Sequence, residues 1–349
     1  MSGRALLLAP SRGLGGGIER YVETLEWAFT ARGVEYQRFD LCGPGPAAHV
    51  RMLARVRAQL RGTQAATRLV VAHRALLPVA SLLTREQPVS GVSVVCHGTD
   101  VWAARPRPRW HVERHLMRRP GVRVVAVSSF TAGVLSPSIP ATILVPGLSL
   151  AWFHTLVEEA AITPVREPGI NLTTAFRLAD WREKGLPQLL DAVAALGRTD
   201  IRVTICGHGE PPADLRRLVR DAPYCALRPG LTDRELAREL AAADLFILAT
   251  RTTYGRNASG EGFGLVLLEA QVAGTPVIGP AHGGSRDAFI DGVTGVAPAD
   301  ETTAALTKVL GELLADPQRL ARMGKWAAEW ARECFAPESY AERVVAALL

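Results

Sequence analysis

"INLTTAFRLADWREKGLPQLLDAVAALGRTDIRVTICGHGE", residues 170–210, begins and ends on apolar, β-branched runs with a helical pattern between them. A buried strand, a helix and a second buried strand form the unit of a parallel sheet covered on both faces. The same alternation fills the chain. "ALLLAP", "VEYQRFD", "RLVVAH", "VSVVCHG", "VRVVAVS" and "TILVPG" precede this stretch; "YCALRPG", "LFILAT", "TPVIGP" and "TGVAP" follow it. A polar, Pro-containing stretch near 155–168 separates the two series. Together they predict an α/β protein of two Rossmann-like, doubly wound parallel-sheet domains facing across a cleft. The expected domains are 1–158 and 165–335, with a helix at about 336–349, set off by Pro337, packing back onto the first. Ligands in such folds bind beyond the carboxyl ends of the strands.

Bulk properties narrow the class. A chain of 349 residues, 48% hydrophobic and 21% charged, suits two globular domains with a large core. No apolar run reaches the roughly 20 residues of a membrane span. "MSGRALLLAP" reads as a first strand, not a leader, so a cytoplasmic protein is expected. Five scattered cysteines without C-x-x-C spacing argue for reduced thiols and against a zinc site. Residues 1–150 hold 19 Lys+Arg against 8 Asp+Glu, while the remainder holds 21 against 26. The stretch "ARPRPRWHVERHLMRRPGVR", residues 104–123, contributes seven arginines. It suits an anionic acceptor or peripheral contact with an anionic membrane surface, or else is solvated surface. No aromatic-interleaved motif accompanies it, so no nucleic acid partner is expected.

Four stretches carry candidate chemistry. In "PSRGLGGGIERYVETLEWAFTARG" a strand ends in Gly13, Gly15, Gly16 and Gly17, and a helix follows. Glycines admit close backbone approach and a helix start favours an anion, although a tight turn has the same look. Asp40, ending the next strand, mimics the ribose-binding acid of dinucleotide enzymes. In "VCHGTDVW", His97 and Asp100 follow a buried strand, beside a reacting group or as hydrogen-bonded loop residues. In "FRLADWREKG", Arg177 and Lys184 suit a diphosphate, with surface charge as the alternative; "CGHGE" adds Gly207 and Gly209.

The fourth stretch, "GEGFGLVLLEAQVAGTPVIG", places Glu261 and Glu269 eight positions apart around a helix start, the second among leucines. A buried carboxylate needs a partner. Either an internal salt bridge supplies it, or a ligand's hydroxyls do. On a continuous helix eight residues rise roughly 12 Å, about the span of a nucleotide sugar from hexose to ribose.

The stretch "SGEGFGLVLLEAQVAGTPVIGPAHGG" resembles the E-x(7)-E signature of the family 4 glycosyltransferases, enzymes of the GT-B fold. "GGGIERYVETL", "CHGTD", "AVSSFTAG", "FRLADWREKGLPQLLDAVAAL", "TICGHGE" and "AADLFILAT" follow the family's order, so the resemblance covers nearly the whole chain. It implies a retaining, metal-independent hexosyltransferase that moves sugar from a UDP-sugar or GDP-sugar to a hydroxyl acceptor. The acceptor is lipid-linked, phosphorylated or a small natural product. The nucleotide sugar is then a co-substrate, and neither cofactor nor metal is called for; no D-x-D occurs. The implied catalytic residues are His97, Glu261, Arg177 and Lys184. Gly16, Gly17, Gly207, Gly262, Phe263, Gly264, Leu265 and Glu269 complete the donor site, with Arg177 and Lys184 on the diphosphate, Glu269 on the ribose and Glu261 on the sugar.

The chain departs from the family pattern in three places. The loop "TRTTYGRNASGEGFG" is long and brings Tyr254, Arg256 and Asn257 toward the ligands or forms a contact-free lid. "GGSRD" replaces Gly-Gly-Pro-Glu, with Ser285 expected to cap a helix. Arg177 and Lys184 are spaced widely. Competing readings are a nucleotide-sugar epimerase of the same fold, an NAD-dependent oxidoreductase built on Gly13 and Asp40, and a non-catalytic nucleotide-sugar-binding protein.

Overall fold

The computed structural model describes residues 4–10, 16–86, 88–98, 100–102, 108–136, 138–162, 169–253 and 258–349. They form two units. The first comprises Met1–Gly147 and Pro337–Leu349, the second Leu148–Thr253 and Ser259–Ala336.

The first unit alternates β1 (Arg4–Ala9), α1 (Gly17–Ala31), β2 (Glu35–Asp40), α2 (Gly45–Arg61), β3 (Thr67–Val71), α3 (Leu77–Leu83), β4 (Val89–Cys96), α4 (Pro108–Met117), β5 (Val122–Ala126), α5 (Ser129–Leu135) and β6 (Thr142–Ile143). Its strands are parallel, in the order β2-β1-β3-β4-β5-β6. Leu6, Leu7 and Leu8 of β1 are fully buried because helices cover both faces of the central strands. In edge strand β2 only Phe39 is buried.

The second unit contains α6 (Leu150–Ala161), β7 (Ile170–Arg177), α7 (Leu186–Ala195), β8 (Ile201–His208), α8 (Ala213–Arg220), β9 (Cys225–Pro229), α9 (Asp233–Ala242), β10 (Leu245–Ile247), α10 (Leu265–Val272), β11 (Val277–Ile278), β12 (Gly295–Val296), α11 (Thr303–Leu314) and α12 (Pro317–Cys334). The sheet order is β12-β11-β10-β7-β8-β9, again parallel. Strand order reverses between β7 and β10, so the loops leaving these neighbours diverge and open a crevice at their carboxyl ends. In the first unit the reversal falls between β1 and β3.

The expected boundary at 158 is too late. Residues 150–161 form a helix whose Trp152, Leu156 and Glu159 are buried against the second unit, so the division follows Gly147. The polar composition of this stretch hides a buried face. Glu159 is buried because Arg238 reaches one of its oxygens at 2.7 Å and Arg234 the other at 3.2 Å, both from α9.

The last helix, α13 (Pro337–Leu348), joins the first unit. Tyr340 is fully buried beside Tyr21 of α1, and Gly147 faces its ring where a Cβ would collide. Arg123, from the basic stretch, donates to the carbonyls of Ala346 and Ala347 at 3.3 and 3.1 Å, satisfying groups that a helix end leaves open. Other arginines of that stretch are also engaged. Arg109 binds Glu113 at 2.7 Å, and Arg118 donates to the Ser138 carbonyl at 3.1 Å. No described helix is long and apolar enough to cross a membrane.

Gly185 precedes α7 at φ 72°, and a Cβ there would run into the Ala249 carbonyl. This close approach docks the start of α7 against the chain leaving β10. Gly185→Ala is therefore expected to lower stability by about 2 kcal/mol or more, from a strained backbone and an overpacked contact. An unchanged melting temperature would show that the contact yields freely.

Candidate active site

Two chain segments meet at the crevice of the second unit. After β7 the backbone makes one helical turn, closed by Lys184 N–H to the Asp180 carbonyl at 2.9 Å, and delivers Lys184 just ahead of α7. After β10 the chain passes Thr250, then reaches Glu261 and the start of α10. The Lys184 ammonium donates to Glu261 Oε2 at 2.8 Å, and the Thr250 hydroxyl donates to the same oxygen at 3.1 Å. The two charged side chains are 23% and 15% exposed, dry enough for the bond to hold without being diluted by water. The Gly284 N–H fixes the Glu261 carbonyl at 2.8 Å. Glu261 and Lys184 thus lie together as partners of each other.

Gly264 introduces α10 in the left-handed region, at φ 82°. A Cβ on it would press on Leu267 at 3.0 Å and on Glu261 and Leu248 at 3.3 Å, so glycine is required beside the carboxylate. Phe263 is buried against Phe335, and Gly264 is buried too, while Gly262 and Leu265 on either side are half-buried. The first N–H groups of any helix lack intrahelical acceptors and favour negative charge. Glu261 itself precedes the helix, which starts only at Leu265, so the rise expected for a continuous helix between the two glutamates does not apply.

Arg177 ends β7 and is exposed; two of its nitrogens reach Asp180 Oδ2 at 2.8 and 2.7 Å. Gly207 faces the Phe176 carbonyl and Leu178, where a Cβ would collide, which gives it a packing reason. Glu269, on α10, is 5% exposed and accepts from the Trp152 indole N–H at 3.0 Å. Trp152, Thr250 and Asp180 are the site residues that the sequence reading missed. Ser285 does not cap a helix: Gly283 precedes the short 3₁₀ turn, and the Ser285 hydroxyl is buried with no hydrogen-bond partner among the described residues.

Gly16, Gly17 and His97 belong to the first unit. Gly16 has φ 96° and leads into α1 at Gly17. His97 Nε2 lies 2.6 Å from the Ala72 carbonyl, so that nitrogen carries the proton. The ring stacks on His73 at 6.0 Å and meets the edge of Tyr21 at 5.1 Å. Asp100 serves as a loop clasp, accepting from the His97 and Gly98 N–H groups at 3.0 and 2.8 Å. Asp40 is held by Arg38 at 2.7 Å, which gives it a partner within the fold. Gly13, Gly15, Thr99, Tyr254, Arg256 and Asn257 lie outside the described residues.

The sequence profile of "Glycosyl transferases group 1" matches residues 177–330, the segment that carries Arg177, Lys184, Glu261 and Glu269. The chain is 29% identical over 312 residues to the GDP-mannose-dependent alpha-(1-6)-phosphatidylinositol monomannoside mannosyltransferase of Mycobacterium tuberculosis, covering 82% of this chain and 75% of that one. The group 1 glycosyltransferases are thus the family that residues 177–330 resemble. The Mycolicibacterium smegmatis enzyme of the same description is 35% identical to this chain over 153 residues, and the chain spans only 40% of that relative's length there, 42% of its own. In structure, the sucrose-phosphate synthase of Thermosynechococcus elongatus superposes with a TM-score of 0.77 at 19% identity, covering 99% and 98% of the two chains. The chain has the GT-B fold, two parallel six-stranded sheets with their helices.

Burial pushes both stacked imidazoles down, His97 below the ordinary 6.5 and His73 to about 4, against the opposing pull of Asp100. Both are therefore neutral in the folded protein at pH 7, while the unfolded chain takes up protons below about 6.5. The stability they contribute is present above that pH and is lost as pH falls toward 4. The melting temperature is expected to drop through this window. His73→Asn, which keeps an acceptor for the Ala75 N–H, should flatten the drop; an equally steep profile in the variant would assign the loss to other groups.

Proposed function

We propose that the protein is a retaining glycosyltransferase of the family 4 type, moving a hexose from a nucleoside diphosphate sugar to an acceptor hydroxyl without a resident metal. The observation that carries the reading is Glu261, held by Lys184 and Thr250 beside the start of α10. An ammonium has three donors and the Glu261 bond uses one. Lys184 thus offers charge to a diphosphate while keeping a carboxylate ready for sugar hydroxyls. Arg177 at the end of β7 adds a second cation, and the start of α10 a partial positive charge. Glu269 is assigned to the ribose, and the resemblance assigns His97 and the Gly16–Gly17 turn to the donor.

In this reaction the bond between the anomeric carbon and the phosphate oxygen breaks first. Lys184, Arg177 and the helix start offset the charge gathering on the departing diphosphate. Fixed positive groups aimed at a developing anion are the strongest means of acceleration open to such a site. The acceptor oxygen bonds to the oxocarbenium-like carbon on the same face and gives its proton to the leaving phosphate, so no protein nucleophile is required.

The named relatives support GDP-mannose as donor and an inositol-phosphate-containing glycolipid as acceptor. The excess of 19 basic over 8 acidic residues in 1–150 supports an anionic acceptor, reached at an anionic membrane surface. Five free cysteines support action in the cytoplasm.

A thermal-shift panel of GDP-mannose, UDP-glucose and NAD tests the donor class. A nucleotide sugar is expected to raise the melting temperature and NAD to leave it unchanged; the reverse would restore the oxidoreductase reading. Glu269→Ala is expected to weaken binding of the free nucleotide about tenfold, as loss of a hydrogen bond to a charged group does. Glu261→Ala should instead reduce turnover on the order of 100-fold with a smaller effect on nucleotide affinity. Wild-type behaviour in both variants would refute these roles.

A further inference from the structure

We infer that Trp152 is a positioning residue that makes the donor site selective for ribose, by orienting Glu269 through its indole N–H. The inference rests on the reading that Glu269 accepts hydrogen bonds from the nucleotide's ribose hydroxyls. Trp152 lies 117 positions from Glu269, in the stretch that links the two strand series, and has no place in the motifs that carry the family resemblance.

Three observations give the indole this role. The contact is dry and well formed, with Trp152 Nε1 3.0 Å from Glu269 Oε1 and both residues 5% exposed. The helix presenting it is fixed at both ends. At the start of α6 the Ser149 hydroxyl accepts from the Trp152 N–H at 3.4 Å. Two turns on, Glu159 is clamped by Arg234 and Arg238 of α9. Trp152, Leu156 and Glu159 recur at helical spacing, so one buried face carries both the clamp and the indole. Finally, the chemistry of the donor matters. Indole only donates and carries no charge, so it fixes the rotation of the carboxylate and leaves its negative charge in place. A carboxylate has roughly four acceptor directions, of which the indole takes one.

Of the two glutamates of the segment, Glu261 is bonded to a cation, while Glu269 accepts from the neutral Trp152 indole. Hydroxyl groups bind best to an acceptor with its charge intact and its geometry set in advance. A carboxylate loosened by loss of the indole would bind the same hydroxyls only at a greater cost in ordering entropy.

The test compares GDP and UDP with their 2′,3′-dideoxy analogues on the full-length protein by calorimetric titration, using whichever base binds. Wild type is expected to prefer the ribonucleotide by about tenfold or more. Trp152→Phe keeps the aromatic bulk and removes the N–H; the preference should fall at least about fivefold, through weaker ribonucleotide binding, with the dideoxy affinity unchanged. Leu156→Ala, on the same buried face, is expected to lower the melting temperature and keep the preference. A wild-type preference that survives Trp152→Phe would overturn the inference and leave the ribose reading standing. No preference in wild type would overturn the ribose reading itself. Should Trp152→Phe fail to fold, Trp152→His supplies a smaller ring with an N–H, and loss of melting stability with full retention of the preference is expected; loss of the preference in this folded, donor-bearing variant would count against the N–H as the cause.

Discussion

The chemistry of the second unit depends on a lysine and a glutamate that would each be costly to bury alone. Desolvating one charge without its partner costs several kcal/mol, and a bond between the two removes most of that cost. Here the bond joins the turn after β7 to the turn before α10, with Thr250 as a third member. These are the segments that a reversal of strand order places on either side of a crevice. The glycines around it follow from the same demand. Gly185 lets α7 approach the chain after β10, and Gly264 lets α10 begin against the glutamate's own side chain.

The strands were legible because parallel strands covered on both faces carry nearly unbroken apolar runs; each of the twelve runs recognised in the sequence contains a strand. Residues 150–161 were not, since Glu158 and Glu159 read as a solvated linker. What hides Glu159 is a pair of arginines about 80 residues later, and helical periodicity cannot register such a partner.

The site was legible in half. Lys184, Arg177, Glu261 and Glu269 were each conspicuous as charges beside glycines or leucines. Their partners were ordinary residues at long range: Thr250 for Glu261, Trp152 for Glu269. The carboxylate among leucines accepts from an indole, a partner that the sequence reading did not name. Ser285 shows the opposite error. A residue suited to capping lies in a turn whose geometry gives it nothing to cap.

The return of α13 to the first unit bears on how the chain is made. Tyr340, Val344 and Leu348 are fully buried in that unit, and the Leu348 carbonyl accepts from Ser93 of its sheet at 2.7 Å. During synthesis the first six strands emerge early, yet the hydrophobic surface that α13 covers stays bare until α13 itself has been made. The second unit is contiguous apart from one short excursion and has all its strands before that point. Vectorial synthesis therefore favours the second unit maturing first, with the first unit held as an aggregation-prone intermediate until α13 leaves the ribosome.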